Sequence, residues 1–244
     1  EIDPRTVTEE KLKYYHTKGI TTISLGIQDF DLNVQKSINR IQSYEIIEDI
    51  MKISKKLFTS INFDIIIGLP YQTPETITET INKIILLSPD RISMDYYNRG
   101  DVKYYPATQK INDIVLGLYE RHLLFDIVVK KLKNAGYLRT GAGYFAKHND
   151  IVAKSFKKKK ANFTPLGVIG YEYTNKIGFG RSSYGNLEND FSNIFMYQNY
   201  YELELYKNAV YAGKFPIFRN YKSKNDDKMR GDIIKTMRTY FVID

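Results

Sequence analysis

The sequence of 244 residues contains no cysteine. This absence excludes disulfide bonds, and it excludes a zinc ion or iron–sulfur cluster held by thiolates of these residues. No apolar run approaches the roughly 20 residues that a membrane-spanning helix requires. The opening residues Glu1-Ile2-Asp3 do not resemble a signal peptide. We therefore expect a cytoplasmic protein without a membrane span.

The residues that are present, 43% hydrophobic and 26% charged, are typical of a soluble globular protein of one domain or slightly more. The net charge of +8 would attract any anion, including nucleic acid, an anionic membrane or an acidic small molecule. Much of the excess lies in Lys154 and in residues 157–160. Because no RNA-binding aromatic motif or helix-turn-helix pattern accompanies this run, we interpret it as solvated and mobile, and we predict no nucleic-acid partner.

The first hundred residues alternate between helical and strand patterns. A helix is expected to begin after Thr8 and to stop at Gly19, and a β-rich run over residues 21–27 then ends at Gln28 and Asp29. This combination predicts one αβ unit.

Two further αβ units follow the first. Ser43 is a candidate N-cap for a helix that precedes a strand over residues 61–67. Thr73 can cap a third helix with Pro74 at its first position, before a strand over residues 91–97. The apolar residues with helical spacing are Ile46, Ile47, Ile50, Ile53 and Leu57 in the earlier helix, and Ile77, Ile81, Ile84 and Ile85 in the later one.

Consecutive αβ units of this length favour parallel strands with right-handed crossovers, as in a (β/α) barrel or a doubly wound sheet. Polar residues lie in or just after each strand: Gln28 and Asp29, Asp64, and Asp95 and Asn98. Carboxyl ends of parallel strands are where ligands bind. Asp29 could equally begin a turn, and Asp64 could cap a backbone amide, so position alone leaves both interpretations open.

Several motifs of residues 1–98 resemble, in order and spacing, the oxygen-independent coproporphyrinogen III oxidase family of radical S-adenosylmethionine enzymes. These motifs are Glu1-Ile2-Asp3-Pro4-Arg5, Ser24-Leu25-Gly26-Ile27-Gln28-Asp29-Phe30, Val34-Gln35-Lys36, Asn39-Arg40, Ile61-Asn62-Phe63-Asp64, Gly68-Leu69-Pro70, Gln72-Thr73-Pro74-Glu75 and Pro89-Asp90-Arg91-Ile92-Ser93. Beyond residue 98 the resemblance rests on shorter motifs in family order. Examples are Ala135-Gly136-Tyr137, Phe145-Ala146, Asn162-Phe163, Gly178-Phe179-Gly180 and Gln198-Asn199.

The resemblance implies an α/β fold, a partial (β/α) barrel of the radical S-adenosylmethionine type followed by an α+β C-terminal extension. Residues 1–98 would form the later strands of the barrel core. Residues 99–244 would form the remaining barrel edge and a region that covers the substrate. In this family a reduced four-iron four-sulfur cluster splits S-adenosylmethionine, and the resulting 5'-deoxyadenosyl radical takes hydrogen from a propionate of coproporphyrinogen, which becomes a vinyl group.

The cluster ligands of the family lie in a Cys-x-x-x-Cys-x-x-Cys motif before the position that corresponds to Glu1, and its glycine-rich cofactor loop also precedes that position. The sequence contains neither motif. We therefore expect a fragment of a longer protein that is inactive alone. The partners implied are a small-molecule tetrapyrrole and an electron-donor protein, and the implied state is a monomer.

Carried over by position, the S-adenosylmethionine contacts would be Glu1, Gln28, Arg40 and Asp64. The chemistry is suitable, because the cofactor offers ribose hydroxyls, an ammonium group and a carboxylate for which a guanidinium is a two-point partner. Arg40 is expected to bind the carboxylate, although a surface salt bridge is the alternative. Further contact positions are occupied by Ile66, which keeps an aliphatic residue, and by Asn98 and Tyr184, where smaller or aliphatic residues are usual.

Other positions depart from the family pattern. The family's Asn-Phe-Gln-Gly-Tyr becomes Asn162-Phe163-Thr164-Pro165, with Gly170-Tyr171 displaced by an insertion. In the family this Gln helps to hold a second S-adenosylmethionine. Its absence leaves open whether this chain binds a second cofactor molecule. Arg181 and Arg139 are candidates to bind substrate carboxylates, with surface cations as the alternative.

Three other features do not change this interpretation. His16, His122 and His148 are far apart, and His122 is expected to be a core or helix-surface residue rather than a haem ligand. The 21 Tyr and 13 Phe could line a tetrapyrrole cavity but are also ordinary core material. Gly178-x-Gly180 lacks the third glycine of a dinucleotide fingerprint, so NAD is not predicted.

Three functions are considered. The first is coproporphyrinogen III dehydrogenase, which oxidatively decarboxylates propionates in haem biosynthesis. The second is a related radical enzyme of haem breakdown or natural-product methylation, which the departures at Asn98, Tyr144 and Thr164 favour. The third is a non-catalytic haem-trafficking chaperone. Anaerobic turnover of coproporphyrinogen, compared with haem binding without turnover, separates them.

Overall fold

The computed structural model describes residues 1–98, 115–164, 167–170, 175–188 and 194–241. The chain divides into two compact units. The first unit is Glu1–Ala161 with Pro165–Gly170, and the second is Asn162–Thr164 with Tyr171–Asp244. The boundary expected at residue 98 stays a prediction.

The first unit is built on a five-stranded sheet with the order β1-β2-β3-β5-β4. Its strands are β1 (Thr22–Gln28), β2 (Ser60–Ile67), β3 (Arg91–Tyr96), β4 (Tyr137–Arg139) and β5 (Tyr144–Lys147). β1, β2 and β3 are parallel neighbours, whereas β5 is antiparallel to β3 and β4 is antiparallel to β5. The mixed α/β architecture with a parallel sheet, expected from the sequence, is confirmed.

The helices of this unit connect and cover the strands. They are α1 (Glu9–Thr17), α2 (Leu32–Ser37), α3 (Tyr44–Leu57), α4 (Pro74–Leu87), α5 (Leu118–Asn134) and α6 (Ile151–Lys157). The three predicted N-caps are confirmed: the side chains of Thr8, Ser43 and Thr73 accept backbone hydrogen bonds at the starts of α1, α3 and α4. The sequence pattern missed α2, which Asp31 caps through bonds from two backbone amides.

The two faces of the sheet differ in composition. Odd-numbered residues of β1 and β2 point into the helix-covered core, where Leu25, Ile61 and Phe63 are fully buried. Even-numbered residues such as Ser24, Asn62 and Asp64 are half-buried on the opposite face. Because side chains alternate along a strand, a period of two separates the apolar core from a polar face.

β5 joins the parallel strands through close backbone contact. The amide of Met94 donates to the carbonyl of Gly143 at 2.7 Å, and a Cβ on Gly143 would collide with the Met94 carbonyl oxygen. Farther along, Asp150 accepts hydrogen bonds from Arg91 Nε at 2.9 and 3.0 Å and from Ser60 Oγ at 2.8 Å. This buried carboxylate therefore ties the start of α6 to β2 and β3.

The second unit contains an antiparallel sheet in the order β10-β9-β8. Its elements are β6 (Asn162–Thr164), β8 (Tyr184–Glu188), β9 (Ile194–Asn199), α7 (Leu203–Tyr211), β10 (Ile217–Lys222) and α8 (Asn225–Tyr240), whereas β7 (Gly167–Ile169) belongs to the first unit. The buried amide of Asn199 donates to the carbonyls of Gly178 and Gly180 at 3.1 and 3.0 Å. The amide of Gly180 donates to Tyr206 Oη at 3.0 Å, so this glycine loop is held by protein groups.

Within the part of the chain that the structure describes, no helix is long and apolar enough to cross a membrane. His122 lies on the exposed surface of α5, where its Nδ1 is 2.8 Å from Tyr96 Oη. This placement agrees with the helix-surface interpretation.

Candidate functional site

A cavity of about 630 Å³ lies on the polar face of the sheet, at the carboxyl ends of β1, β2 and β3. Its lining comes entirely from the first unit. The lining residues are Glu1, Ile2, Asp3, Gly26, Gln28, Arg40, Asp64, Ile65, Ile66, Ser93, Asp95, Tyr96, Tyr97, Asn98 and Tyr144. The volume is in the range of small-molecule sites.

Gln28 is placed in the cavity by an irregular end of β1. Its φ is 65°, in the left-handed region that non-glycine residues rarely adopt, and the pairing with β2 shifts register between Gly26 and Gln28. A Cβ on Gly26 would lie 3.0 Å from Gln28 Nε2 and 2.8 Å from Arg40 Nη2. Glycine at this position therefore leaves the space that the two polar side chains occupy.

Arg40 reaches the cavity from the segment after α2. Its Nη2 donates to the carbonyl of Gly26 at 2.9 Å, and its Nη1 lies 3.4 Å from Asp3 Oδ2. Asp3 also receives three hydrogen bonds from the side chain of Arg5, at 2.7 to 3.2 Å. Arg40 Nε and Gln28 Oε1 are buried and have no hydrogen-bond partner within the described residues. These two groups, a donor and an acceptor, remain available to a ligand.

Asp64 lies in β2 and is held by neighbouring polar side chains. Its Oδ2 accepts from Ser24 Oγ at 2.5 Å, and its Oδ1 accepts from Asn62 Nδ2 at 2.7 Å. Burial raises the pKa of Asp64, while the hydrogen bonds from Ser24 and Asn62 act in the opposite direction. The nearby carboxylate of Glu1 raises the pKa further.

Asp29 follows the end of β1 and is fully buried. It accepts hydrogen bonds from Thr80 Oγ1 at 2.6 Å, Gln72 Nε2 at 2.7 Å and the backbone amide of Asp31 at 2.8 Å. The Oε1 atom of Gln72 in turn accepts from the amide of Gly68, at the end of β2. Asp29 therefore links the end of β1 to the end of β2 through Gln72. This structural role agrees with the turn interpretation.

The charge of the cavity lining is predominantly negative. Among the lining residues that the structure describes, the ionisable acids are Glu1, Asp3, Asp64 and Asp95, and the basic residue is Arg40. Such a lining favours a ligand with cationic groups, with one guanidinium set aside for a carboxylate. An ammonium or sulfonium group is complementary to it.

A second cavity of about 240 Å³ continues along the same face toward the amino ends of the strands. Glu1, Asp64, Ser93 and Tyr144 line both cavities. Ser24 and Asn62 line the second cavity but not the first. Asp64 is therefore at the border, with Ser24 and Asn62 on the side of the second cavity.

The structure brings together most of the residues that the sequence singled out. Six of them line the first cavity: Glu1, Gln28, Arg40, Asp64, Ile66 and Asn98. Tyr184 and Arg181 lie in the second unit, as exposed residues. Their roles, like those of the six, stay predictions.

Arg139 does not line the first cavity. Its Nε donates to the carbonyls of Gly141 and Ala142 at 3.2 and 3.1 Å, and its guanidinium lies over the ring of Phe125 at 5.5 Å. These contacts favour a structural cation at the β4–β5 turn. Pro165 and Tyr171, from the altered family motif, and residues 99–111 lie outside the described residues.

Sequence reasoning missed several lining residues. Tyr96 and Tyr97 line the first cavity, and Ser24, Asn62 and Ser93 form the polar network around Asp64. The signal was present in the sequence, because these polar residues recur at every second position of predicted strands.

The ion pair at Asp3 predicts a pH dependence. The hydrogen bond from Arg5 is the main cause that lowers the pKa of Asp3 to about 2. The unfolded chain therefore binds the Asp3 proton more tightly, so folding stability from this group is present above pH about 4 and is lost as the pH falls toward 2. In urea unfolding at several pH values, Asp3→Asn should differ from wild type above pH 4 and converge with it near pH 2. A constant difference across this range would contradict the assignment.

The residues present also limit what this chain can hold. In the described ranges no group of three or more His, Asp or Glu side chains could hold a metal ion. The chain contains no cysteine, so its own residues do not fit an iron–sulfur cluster. The first cavity, in contrast, combines a free amide acceptor, a free guanidinium donor and several carboxylates. That combination fits an amino-acid-containing cation.

Comparison with known proteins places this geometry in context. Residues 1–84 match the Radical SAM superfamily. The chain is 31% identical, over 247 aligned positions, to oxygen-independent coproporphyrinogen III oxidase from Helicobacter pylori J99, covering 100% of this chain and 52% of that protein. The protein of the same name from Bradyrhizobium diazoefficiens is also 31% identical, with 100% of this chain and 53% of the relative covered.

A solved structure is similar over the whole chain. Coproporphyrinogen III oxidase from Escherichia coli, described as a radical SAM enzyme, has a TM-score of 0.87 at 28% identity. The match covers 100% of this chain and 55% of the Escherichia coli chain. The chain thus spans about half the length of the relatives that it matches.

Proposed function

We propose that this chain, which matches the Radical SAM superfamily over residues 1–84, is the S-adenosylmethionine-binding part of an enzyme that decarboxylates coproporphyrinogen III oxidatively. The observation that carries the proposal is the first cavity, where Gln28, Arg40 and Asp64 converge at the ends of β1 and β2. The propionates of the substrate would become vinyl groups on the way to haem.

In this proposal the cavity residues bind and orient the cofactor. The guanidinium of Arg40, with its free Nε, binds the methionyl carboxylate. Asp64 and Glu1 face the cationic side of the cofactor, and the free Oε1 of Gln28 accepts a hydrogen bond from an ammonium or a ribose hydroxyl. When bound to a reduced cluster, S-adenosylmethionine supplies the species that abstracts hydrogen. The cluster would be held outside this sequence, since the chain has no cysteine.

The acidic lining separates cofactor from substrate. A tetrapyrrole with propionates is anionic, and four carboxylates among the described lining residues would repel it from the first cavity. The propionates would instead require cations elsewhere. Arg181, an exposed cation of the second unit, remains the proposed partner, whereas the contacts of Arg139 make it the weaker candidate.

Asp64→Ala in the natural full-length protein tests the proposal. The variant should bind S-adenosylmethionine at least about tenfold more weakly, because a charged partner is lost, and should remain folded, with an unfolding temperature lowered by the loss of the acceptor for Ser24 and Asn62. Calorimetric titration and thermal unfolding measure the two quantities. Wild-type protein with a reconstituted cluster should convert coproporphyrinogen III anaerobically. Haem binding without turnover would support a chaperone, and turnover of another substrate would support a related radical enzyme.

A further inference from the structure

The hydrogen bonds around Asp64 form a network in which the donors lead to the Asp64 carboxylate. Ser93 Oγ donates to Asn62 Oδ1 at 3.1 Å, and Asn62 Nδ2 donates to Ser24 Oγ at 2.8 Å and to Asp64 Oδ1 at 2.7 Å. Ser24 Oγ then donates to Asp64 Oδ2 at 2.5 Å. Each donor faces the carboxylate directly or through one intermediate, so Asp64 is the final acceptor of the network.

Asn62 is the residue that fixes this direction. Its amide nitrogen provides two hydrogens, and both are used, one for Ser24 and one for Asp64. Its amide oxygen is used by Ser93. A flipped amide would place the oxygen of Asn62 against the carboxylate of Asp64, and the bonds that its nitrogen donates to Ser24 and Asp64 would be lost.

The network extends over three strands of one sheet face. Ser24 in β1 is paired with Asn62 in β2, and Asp64 is paired with Ser93 in β3. Parallel pairing and the period of two along each strand bring the four side chains together. The rigid sheet, rather than a loop, therefore sets the position of the Asp64 carboxylate.

Asp64 and the two residues that donate to it, Ser24 and Asn62, border different cavities. Asp64 lines the first cavity, whereas Ser24 and Asn62 line only the second. The two donors thus approach the carboxylate from the side of the second cavity, and Asp64 also borders the first cavity. A ligand in the first cavity would contact Asp64 and would have no contact with Asn62.

We propose that Asn62 and Ser24 are positioning residues that keep the Asp64 carboxylate ionised and aimed at a cationic group in the first cavity. The inference rests on the proposed function, in which that group is the ammonium or sulfonium of S-adenosylmethionine. Burial disfavours the charged form of Asp64 and raises its pKa, and the bonds donated by Ser24 and Asn62 oppose part of this effect. Without them the carboxylate would take up a proton at higher pH and would lose its attraction for a cation.

Asn62→Leu tests the proposal, because leucine has a similar size and provides no donor. Binding of S-adenosylmethionine to the full-length protein should weaken about tenfold at pH 7, the effect of losing a hydrogen bond to a charged group. Binding requires ionised Asp64, so affinity falls as the pH falls through the pKa of Asp64. The variant should show this fall at a higher pH than wild type and should lose less affinity as the pH is raised.

The controls are matched by position. Ser24→Ala removes one donor and should show a smaller shift in the same direction. Thr22 lies on the same face of β1 and lines the second cavity but not the first. Thr22→Ala should therefore leave the pH profile of binding unchanged. An Asn62→Leu variant that loses the same factor of affinity at every pH would indicate a general structural defect and would overturn the proposal.

A direct titration of Asp64 separates this proposal from the proposed function. Carbon NMR of the Asp64 carboxyl, without cofactor, should show a higher pKa in Asn62→Leu than in wild type. An unshifted titration would contradict the positioning role alone. If Asn62→Leu raises the pKa of Asp64 but the wild-type protein binds no S-adenosylmethionine, the effect of Asn62 on ionisation would stand. The identity of the ligand and the proposed function would both be contradicted.

Discussion

Asp29→Ala should destabilise the first unit by about 3 to 5 kcal/mol, because Asp29 is fully buried and accepts three hydrogen bonds. The substitution leaves buried donors from Thr80, Gln72 and the Asp31 amide without their acceptor, and each such loss costs about 1 to 3 kcal/mol. Gln72 keeps its bond to the Ile66 carbonyl, so the total falls below the simple sum. Urea unfolding followed by circular dichroism measures the change.

A surface carboxylate provides the control for Asp29. Asp49 lies on α3 with 72% of its side chain exposed, and Asp49→Ala should leave the midpoint almost unchanged. Asp29→Asn keeps the shape but places an amide hydrogen near donors that need an acceptor, so an intermediate loss is expected. A loss below about 1 kcal/mol for Asp29→Ala would show that water or a neighbouring group replaces the carboxylate.

Arg40→Ala should weaken S-adenosylmethionine binding by about 100-fold, since the guanidinium provides both a positive charge in the cavity lining and a directed donor, its free Nε. The fold should persist, because Asp3 keeps its bonds to Arg5 and the Gly26 carbonyl keeps a bond from Gln42 Nε2 at 3.2 Å. Isothermal titration with the full-length protein measures the affinity, and thermal unfolding checks the fold.

Two variants separate charge from geometry at this site. Arg40→Lys keeps the charge but not the planar fork, and it should recover only part of the affinity. Arg5→Ala removes the other cation that contacts Asp3, and Arg5 is not part of the cavity lining, so binding should change little. Equal affinities of Arg40→Ala and wild type would remove Arg40 from the cofactor site.

The parallel core was predictable because its signals are local. Caps at Ser43 and Thr73 and apolar spacing of period 3.6 defined α3 and α4, and β-rich runs defined the strands to within one residue at each end. The polar residues in or just after these strands also predicted a common rim. These properties depend on neighbours in sequence, which a single sequence displays.

The remainder depends on distant contacts that a single sequence does not display. Nothing near Asp29 in sequence indicates that Thr80 and Gln72 will supply its hydrogen bonds. The antiparallel addition of β5 to β3 depends on the close approach of Gly143 to the Met94 carbonyl. The pairing of Asn62 with Ser24 follows from register, which only the assembled sheet defines.

The order of strands in the first sheet has a consequence for protein synthesis. β1, β2 and β3 lie within residues 22–96, whereas β5, which covers the edge of β3, begins at Tyr144. During translation the ribosome must therefore add nearly fifty further residues before that edge can pair. Until then β3 presents unpaired backbone groups, the kind of edge that recruits other nascent chains. Arg91 and Asp95, charged residues on this strand, would act as gatekeepers against such association.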